Sequence, residues 1–249
     1  MLVIQDRDLE VIDYLSKLGW SLAANLSKTF FKSNNRVAFR RLSQLHEKGL
    51  LTYVRIRDLN HLQIEKKTRI LLFANLSLDH RIYRLSDELL KSRGQKINHS
   101  TDKRLIIHQL MCQVAHKHIS KLIKSTSYLT DKDYRIYSKG HSFYTSFADE
   151  EPDLIIKKNG KKIAIEIERK ARRGLGLGNT AYEDRINGLS LDYDLVLYVM
   201  ENEEHLKKMI DKSIGLSRVG FSSVYNLKSV NIKGLDPLSL DSFLGKLNE

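Results

Sequence analysis

The sequence predicts a mixed protein, α+β in its first part and α/β in its second. Three short helices and a β-hairpin come first, and an α/β domain follows. Three observations carry this expectation. Apolar residues recur at helical spacing through the first 48 residues. Two strand-like runs around a polar loop come next, LLTYVRIR from Leu50 and TRILLFA over 68–74. Beyond residue 150, the stretch PDLIIKKNGKKIAIEIERK alternates apolar and charged residues at period two about an Asn159-Gly160 dipeptide. The expected organisation is a first domain over 1–93, a linker over 94–103 and a second domain over 104–249.

Residues 6–18 place Leu9, Ile12, Leu15 and Leu18 at helical spacing, with acids in the first turn where the helix dipole favours them. After Trp20, Ser21 is a candidate cap for a second short helix with Leu22 and Leu26 turned inward. A third helix is expected from Asn35 to Lys48, stopped by Gly49 in a left-handed conformation. Its inward stripe is Val37 or Ala38, Leu42 and Leu45, and its opposite side carries Arg36, Arg40, Ser43 and Gln44, with Asn35 and Arg41 at the flanks. Three helices followed by a β-hairpin is the pattern of a winged helix-turn-helix. On such a module Asn35, Arg36, Arg40 and Arg41 are candidates for base edges in the major groove. Lys28, Lys32, Arg55, Arg57, Lys66, Lys67 and Arg69 are candidates for phosphates. Residues 83–94 read as a short helix capped by Ser86, and the polar run after Gly94 reads as the linker.

The second domain opens on an amphipathic helix over 105–124, with Leu105, Leu110 (or Ile106), Val114, Ile119 and Leu122 as its core stripe. His108, His116 and His118 lie on it, but His118 shares no face with the other two and no acid accompanies them, which argues against a histidine metal site. A strand over 133–139 leads to the hairpin. A helix over 180–189, a buried strand over 194–200, a helix from Glu201, short strands at SVYNL and SVNI and a closing helix from Pro237 complete the order. The glycines at 174, 176 and 178 do not follow the dinucleotide-binding fingerprint.

Composition narrows the partners. The net charge of +12 attracts polyanions, of which nucleic acid is the commonest for a cytoplasmic protein. A single cysteine, Cys112, excludes an internal disulfide and a cysteine-rich zinc site. The N-terminal stretch carries acids where a secretory leader would be basic, and no apolar run is long enough to span a membrane, so a cytoplasmic protein without membrane insertion is expected.

The hairpin holds the densest chemistry. A two-residue turn at Asn159-Gly160 pairs Lys158 with Lys161, Ile156 with Ile163, Leu154 with Ile165 and Asp153 with Glu166. Alternation then sets Glu166, Glu168 and Lys170 on the face of Asp153, with Ile163, Ile165 and Ile167 on the other. Clustered carboxylates repel unless a proton or cation sits among them, and a hard ion such as Mg²⁺, with Mn²⁺ as a substitute, suits oxygen ligands. A lysine beside them could orient a water or stabilise charge on a phosphate.

Pro152-Asp153 followed by Glu168-Arg169-Lys170, with a helix before and a helix and buried strand after, resembles the PD-(D/E)xK nuclease superfamily. The resemblance implies that Asp153 and Glu168 hold Mg²⁺ and that Lys170 positions the attacking water. Glu166-Ile167-Glu168 equally fits members ending in ExE. Directly opposed Cβ atoms lie about 5 Å apart and diagonal ones about 7–8 Å, so geometry favours Asp153 with Glu166 while the motif favours Glu168. All four residues stay candidates.

The whole chain resembles the replication-relaxation and MobC-type mobilisation proteins, through His108-Gln109-Leu110, Pro152-Asp153 and Glu166-Ile167-Glu168-Arg169. That resemblance implies a relaxase nicking one strand of double-stranded DNA at a specific plasmid transfer site, with an accessory relaxosome or coupling protein as a further partner. Arg172 and Arg173 would hold the scissile strand, and Tyr182 or Tyr144 would serve a covalent variant of the chemistry. The competing expectations are a DNA-binding regulator or replication initiator with an inactive nuclease-like domain, and a restriction or transposition nuclease subunit.

Overall fold

A computed structural model of the chain describes residues 3–60, 62, 64–93, 103–122, 135–136, 152–158, 161–168, 188–202, 204, 206–207, 218–231 and 236–245. The chain has mixed α and β structure with two sheets, and it divides into two compact units, Met1–Leu110 and Met111–Glu249.

The first unit begins with α1 (Asp6–Leu18), which ends at Gly19 with φ of 73°. Its buried stripe is Asp8, Val11, Ile12 and Leu15, while Leu9 is 48% exposed. The expectation that Leu9 faces inward is therefore corrected. The stripe runs 8-11-12-15, and its first place is taken by a carboxylate that Arg41 neutralises. Ser21 does not cap the next helix. It lies in β1 (Ser21–Leu22), whose pairing with Ile82 and Tyr83 satisfies the backbone instead, and α2 (Ala23–Phe30) starts straight from that strand.

Lys32 and Ser33, both at positive φ, turn the chain into α3 (Asn35–Glu47). Asn34 caps α3 by accepting from the Val37 N–H at 3.1 Å. Gly49, at φ 71°, ends the turn after α3 as expected. Ala38, Leu42 and Leu45 are fully buried against Val11, Leu15 and Leu26, so the inward stripe of α3 matches its periodicity.

The hairpin that follows differs from expectation. β2 (Leu51–Arg55) pairs antiparallel with β3 (Arg81–Leu85), and residues 68–74 form no strand. They fall in α4 (Lys66–Phe73), except for its C-cap Ala74, after a 3-10 turn at Ile56–Leu59. Thr68, Leu72 and Phe73 are buried, a spacing of four and five that one helix face satisfies and a strand face does not. The sheet order is β1-β3-β2. Ser86 caps α5 (Asp87–Ser92) through the Leu89 N–H, so the expected cap holds while residues 83–85 belong to the strand.

The helix α6 (Lys103–Leu122) crosses the division between the units. It is buried nearly all round between Ile106 and Ala115, not along a single stripe, with Val114 only half-buried. Residues 94–102, most of the expected linker, lie outside the described residues.

The second unit carries a seven-stranded sheet in the order β10-β9-β8-β7-β6-β5-β4. β4 (Arg135–Ile136), β5 (Leu154–Lys158) and β6 (Lys161–Glu168) form an antiparallel meander. The expected hairpin register is found: Leu154 opposes Ile165, Ile156 opposes Ile163 and Lys158 opposes Lys161. β7 (Leu195–Met200) then joins β6 in parallel, with every residue buried, as a crossover-connected strand should be.

β8 (Val219–Ser223) continues in parallel beside β7, and β9 (Asn226–Asn231) and β10 (Leu238–Ser239) return antiparallel. The run SVYNL is not a strand of its own, because Val224 and Tyr225 make the turn between β8 and β9. At Gly220 a Cβ would lie 2.4 Å from Val230 and 2.9 Å from the Phe243 ring, so β9 and α7 (Leu240–Gly245) close on β8 only because that residue is glycine. Ala164, Val196, Tyr198, Met200, Val219 and Phe221 form an apolar layer with Leu189 and Leu206 on one face of this sheet.

Candidate functional site

The acids of the second unit gather where β5 begins and β6 ends. Asp153 is 2% exposed and Glu166 1%, while Glu168 is half-buried. Continuing the register by one pair sets Asp153 opposite Glu166, on the face that also carries Glu168. Asp153 lies just outside the ladder, and its Oδ2 accepts the Ile167 N–H at 2.8 Å. The carboxylate thus takes over the place of a strand carbonyl, which fixes its position.

Glu166 and Glu168 stand beside Tyr198 and Met200 on the parallel strand β7. The apolar layer of Ala164, Val196 and Tyr198 reaches up to the acids on their own face. Beyond β7 lies a third buried acid that the sequence reading did not single out. Glu201 is 2% exposed, and its N–H donates to the Glu168 carbonyl at 2.9 Å. Its signal in the sequence was its place directly after an all-apolar strand. Carboxyl ends of parallel strands are where open α/β sheets place their ligands.

The helix α6 adds a donor of a different kind. Within the second unit, Cys112 Sγ and a carboxylate oxygen of Asp153 lie within 4.8 Å of each other. The meeting of Cys112 with Asp153 is a contact between distant parts of the chain that helical spacing does not carry. The carboxylates of Asp153, Glu166 and Glu168 suit Mg²⁺ or Mn²⁺. Lys170, Arg172 and Arg173 lie outside the described residues, as do Tyr182 and Tyr144.

In the first unit the candidate cations separate into two groups. Lys32, Asn35, Arg36 and Arg40 are exposed along α3 and the turn before it. Arg41 is not available in the same way. Its Nε donates to Asp8 Oδ1 at 2.9 Å, its Nη2 donates to Asp8 Oδ2 and to the Val3 carbonyl, and its Nη1 donates to Gln44. The Asp8 side chain is wholly buried, and burial pushes its pKa up. The hydrogen bonds from Arg41 and from the Gln5 N–H, with the charges of Arg41 and Arg7, outweigh burial and hold the carboxyl below its usual value. Arg41 is therefore committed to Asp8, Val3 and Gln44, whereas Arg36 and Arg40 are exposed.

Arg55 and Arg57 lie near Asp79, at 3.9 and 2.9 Å, in pairs exposed enough to exchange for a phosphate at little cost. Arg69 donates to Asn60. Arg81 is committed to Ser43 and Tyr83 and lies over the Tyr53 ring at 4.5 Å, so it braces the β2–β3 hairpin against α3.

No protein-family model matches the chain, and no curated protein and no solved structure does so either. Among the described residues no helix is long and apolar enough to cross a membrane.

Proposed function

We propose that the chain is a metal-dependent, site-specific DNA endonuclease of the nicking kind, with a winged helix-turn-helix first unit and a PD-(D/E)xK-like second unit. The observation that carries this reading is the register of β5 on β6, with Leu154 opposite Ile165 and the Asp153 carboxylate on the Ile167 N–H, so that Asp153 comes to the end of β6 that carries Glu166 and Glu168. A helix before the hairpin and a buried strand after it is the order on which the resemblance to that nuclease superfamily rests. The sheet order β1-β3-β2 around three helices supports the winged-helix reading of the first unit.

Asp153, Glu166 and Glu168 would hold Mg²⁺ or Mn²⁺, whose Lewis acidity would lower the pKa of a bound water and stabilise charge on the phosphodiester. The chain's own part is to fix Asp153 through the Ile167 N–H and to keep the acids beside an apolar layer. Low local polarity strengthens their hold on a cation. Lys170 would help position the attacking water, the role that the resemblance implies. Arg36, Arg40, Lys32 and Asn35 would select the site on double-stranded DNA. A relaxase acting at a plasmid transfer origin in the cytoplasm, with an accessory or coupling protein, remains the specific form of this proposal.

A second reading is favoured by one observation. Asp153 is nearly wholly buried, bonded to a backbone N–H and close to Cys112, an environment that also suits a carboxylate with a purely structural part. The chain would then be a sequence-specific DNA-binding regulator or replication initiator on a nuclease-like scaffold.

The test incubates the protein with supercoiled DNA containing a site selected from a random pool, with Mg²⁺, Mn²⁺ or EDTA. Nicking that needs the metal and vanishes in Asp153→Asn supports the endonuclease. Specific binding with no metal-dependent nicking gives the regulator reading.

A further inference from the structure

The exposed arc of α3 is not uniformly polar. At 100° per residue Phe39 falls between Asn35 on one side and Ser43 and Arg36 on the other, with Arg40 beyond. Asn35, Arg36 and Arg40 are exposed, and Phe39 keeps 38% of its surface accessible. It is the large apolar side chain that α3 presents to solvent, one turn from its N-terminus.

Phe39 is held there. Its ring meets His80 edge-on, with centroids 5.8 Å apart and planes at 79°. His80 is itself fixed, its Nε2 accepting the Ala24 N–H at 3.1 Å. The aromatic ring is thus braced by α2 and by the end of the β2–β3 connection, and its outer part is left on the exposed arc beside Arg36. A single exposed apolar side chain is ordinary on a protein surface. A braced one on the exposed arc, between the buried stripe and Arg36, suits a partner that is anionic at its rim and apolar at one point.

The major groove of duplex DNA is such a partner. Its rim is phosphate, and its one apolar feature is the 5-methyl group of thymine. We infer that Phe39 contacts a thymine methyl group in the major groove, so that the bound site carries an obligatory T·A pair read by shape and hydrophobicity. The inference rests on the reading of α3 as the helix that contacts DNA. The neighbouring Arg36 and Arg40 supply the phosphate and guanine contacts that seat the ring, and Asn35, one turn earlier, is placed for an adjacent adenine.

The experiment uses the full chain in EDTA, so that binding is measured without cleavage. A bound site is selected from a random duplex pool. Each dT in it is then replaced singly by dU, which removes the methyl group and nothing else. For the wild type, one dU position is expected to weaken binding about threefold to tenfold, the scale of one buried methyl group. Phe39→Ala should bind the dT and dU duplexes equally, and Phe39→Leu, which keeps an apolar contact, should retain part of the discrimination.

Circular dichroism and thermal unfolding of each variant check that the fold is kept. Specific binding with no dU-sensitive position overturns the inference, as does a dU effect undiminished in a folded Phe39→Ala. Failure of the wild type to select any site overturns the DNA reading of α3 itself and this inference with it.

Discussion

Both units bury carboxylates, and they do so in contrasting ways. Asp8 sits in the core of the first unit with a guanidinium against it, two hydrogen bonds from Arg41 and one from the Gln5 N–H. Asp153 and Glu166 are buried to the same degree at the edge where β5 begins and β6 ends, alongside the half-buried Glu168. One acid matched to one cation is a structural device, and breaking such a pair leaves an uncompensated buried charge. Several acids brought to one strand face have self-repulsion that an added cation would relieve. The difference teaches that burial of a charge does not by itself point to chemistry; the number and sign of its neighbours do.

The sharpest way to break this comparison is to exchange the roles. Asp153→Asn or Glu166→Gln is expected to lower metal-dependent nicking by at least about a thousandfold, ~4 kcal/mol of barrier. Thermal unfolding should move far less than activity in both variants. Asp8→Ala should do the opposite. It strands the Arg41 guanidinium and should cost about 3–5 kcal/mol of stability by denaturant titration. Nicking of the folded fraction should stay intact. If Asp153→Asn instead unfolds the second unit and Asp8→Ala does not destabilise the first, the contrast fails.

Smaller effects separate the arginines. Arg36→Ala and Arg40→Ala should each weaken binding to a selected site by about 1–3 kcal/mol, read by fluorescence anisotropy, with unchanged stability. Arg41→Ala should lose stability first, since its donors are spent on Asp8, Val3 and Gln44. Equal affinity losses without destabilisation for all three would return Arg41 to the binding face.

The mildest test uses pH. The folded Asp8 pKa lies below its ordinary value. Its contribution to stability is therefore complete above that ordinary value and is lost as pH falls through the folded pKa. Acid unfolding of the wild type should carry this slope below about pH 4. In Asp8→Asn, which is less stable at neutral pH, that part of the slope should be missing. Arg57, whose pair with Asp79 is exposed, should show no comparable signature when changed to alanine.

What the residues alone determined is local. Asn159-Gly160 with its flanking alternation set the hairpin register, because a two-residue turn admits one pairing and a slip would turn every isoleucine to the other face. Helical periodicity placed α3 and its buried stripe, and Gly49 ended it. The all-apolar run at 195–200 announced a buried strand.

Other features were decided by contacts between distant parts of the chain. Asp8 could occupy a core position, and Leu9 leave it, only because Arg41 came to meet the carboxylate from 33 residues away. Ser21 paired as a strand because Tyr83 was there to pair with. Residues 68–74 are as apolar as a strand, but Arg81–Leu85 took the place beside β2 and the earlier segment coiled into α4. Cys112 is a lone cysteine in the sequence, and only tertiary folding brings it to Asp153. Turn chemistry and hydrophobic period act within a few residues, so sequence carries them. Which acid finds a cation, and which strand finds an edge, is settled only when the chain closes on itself.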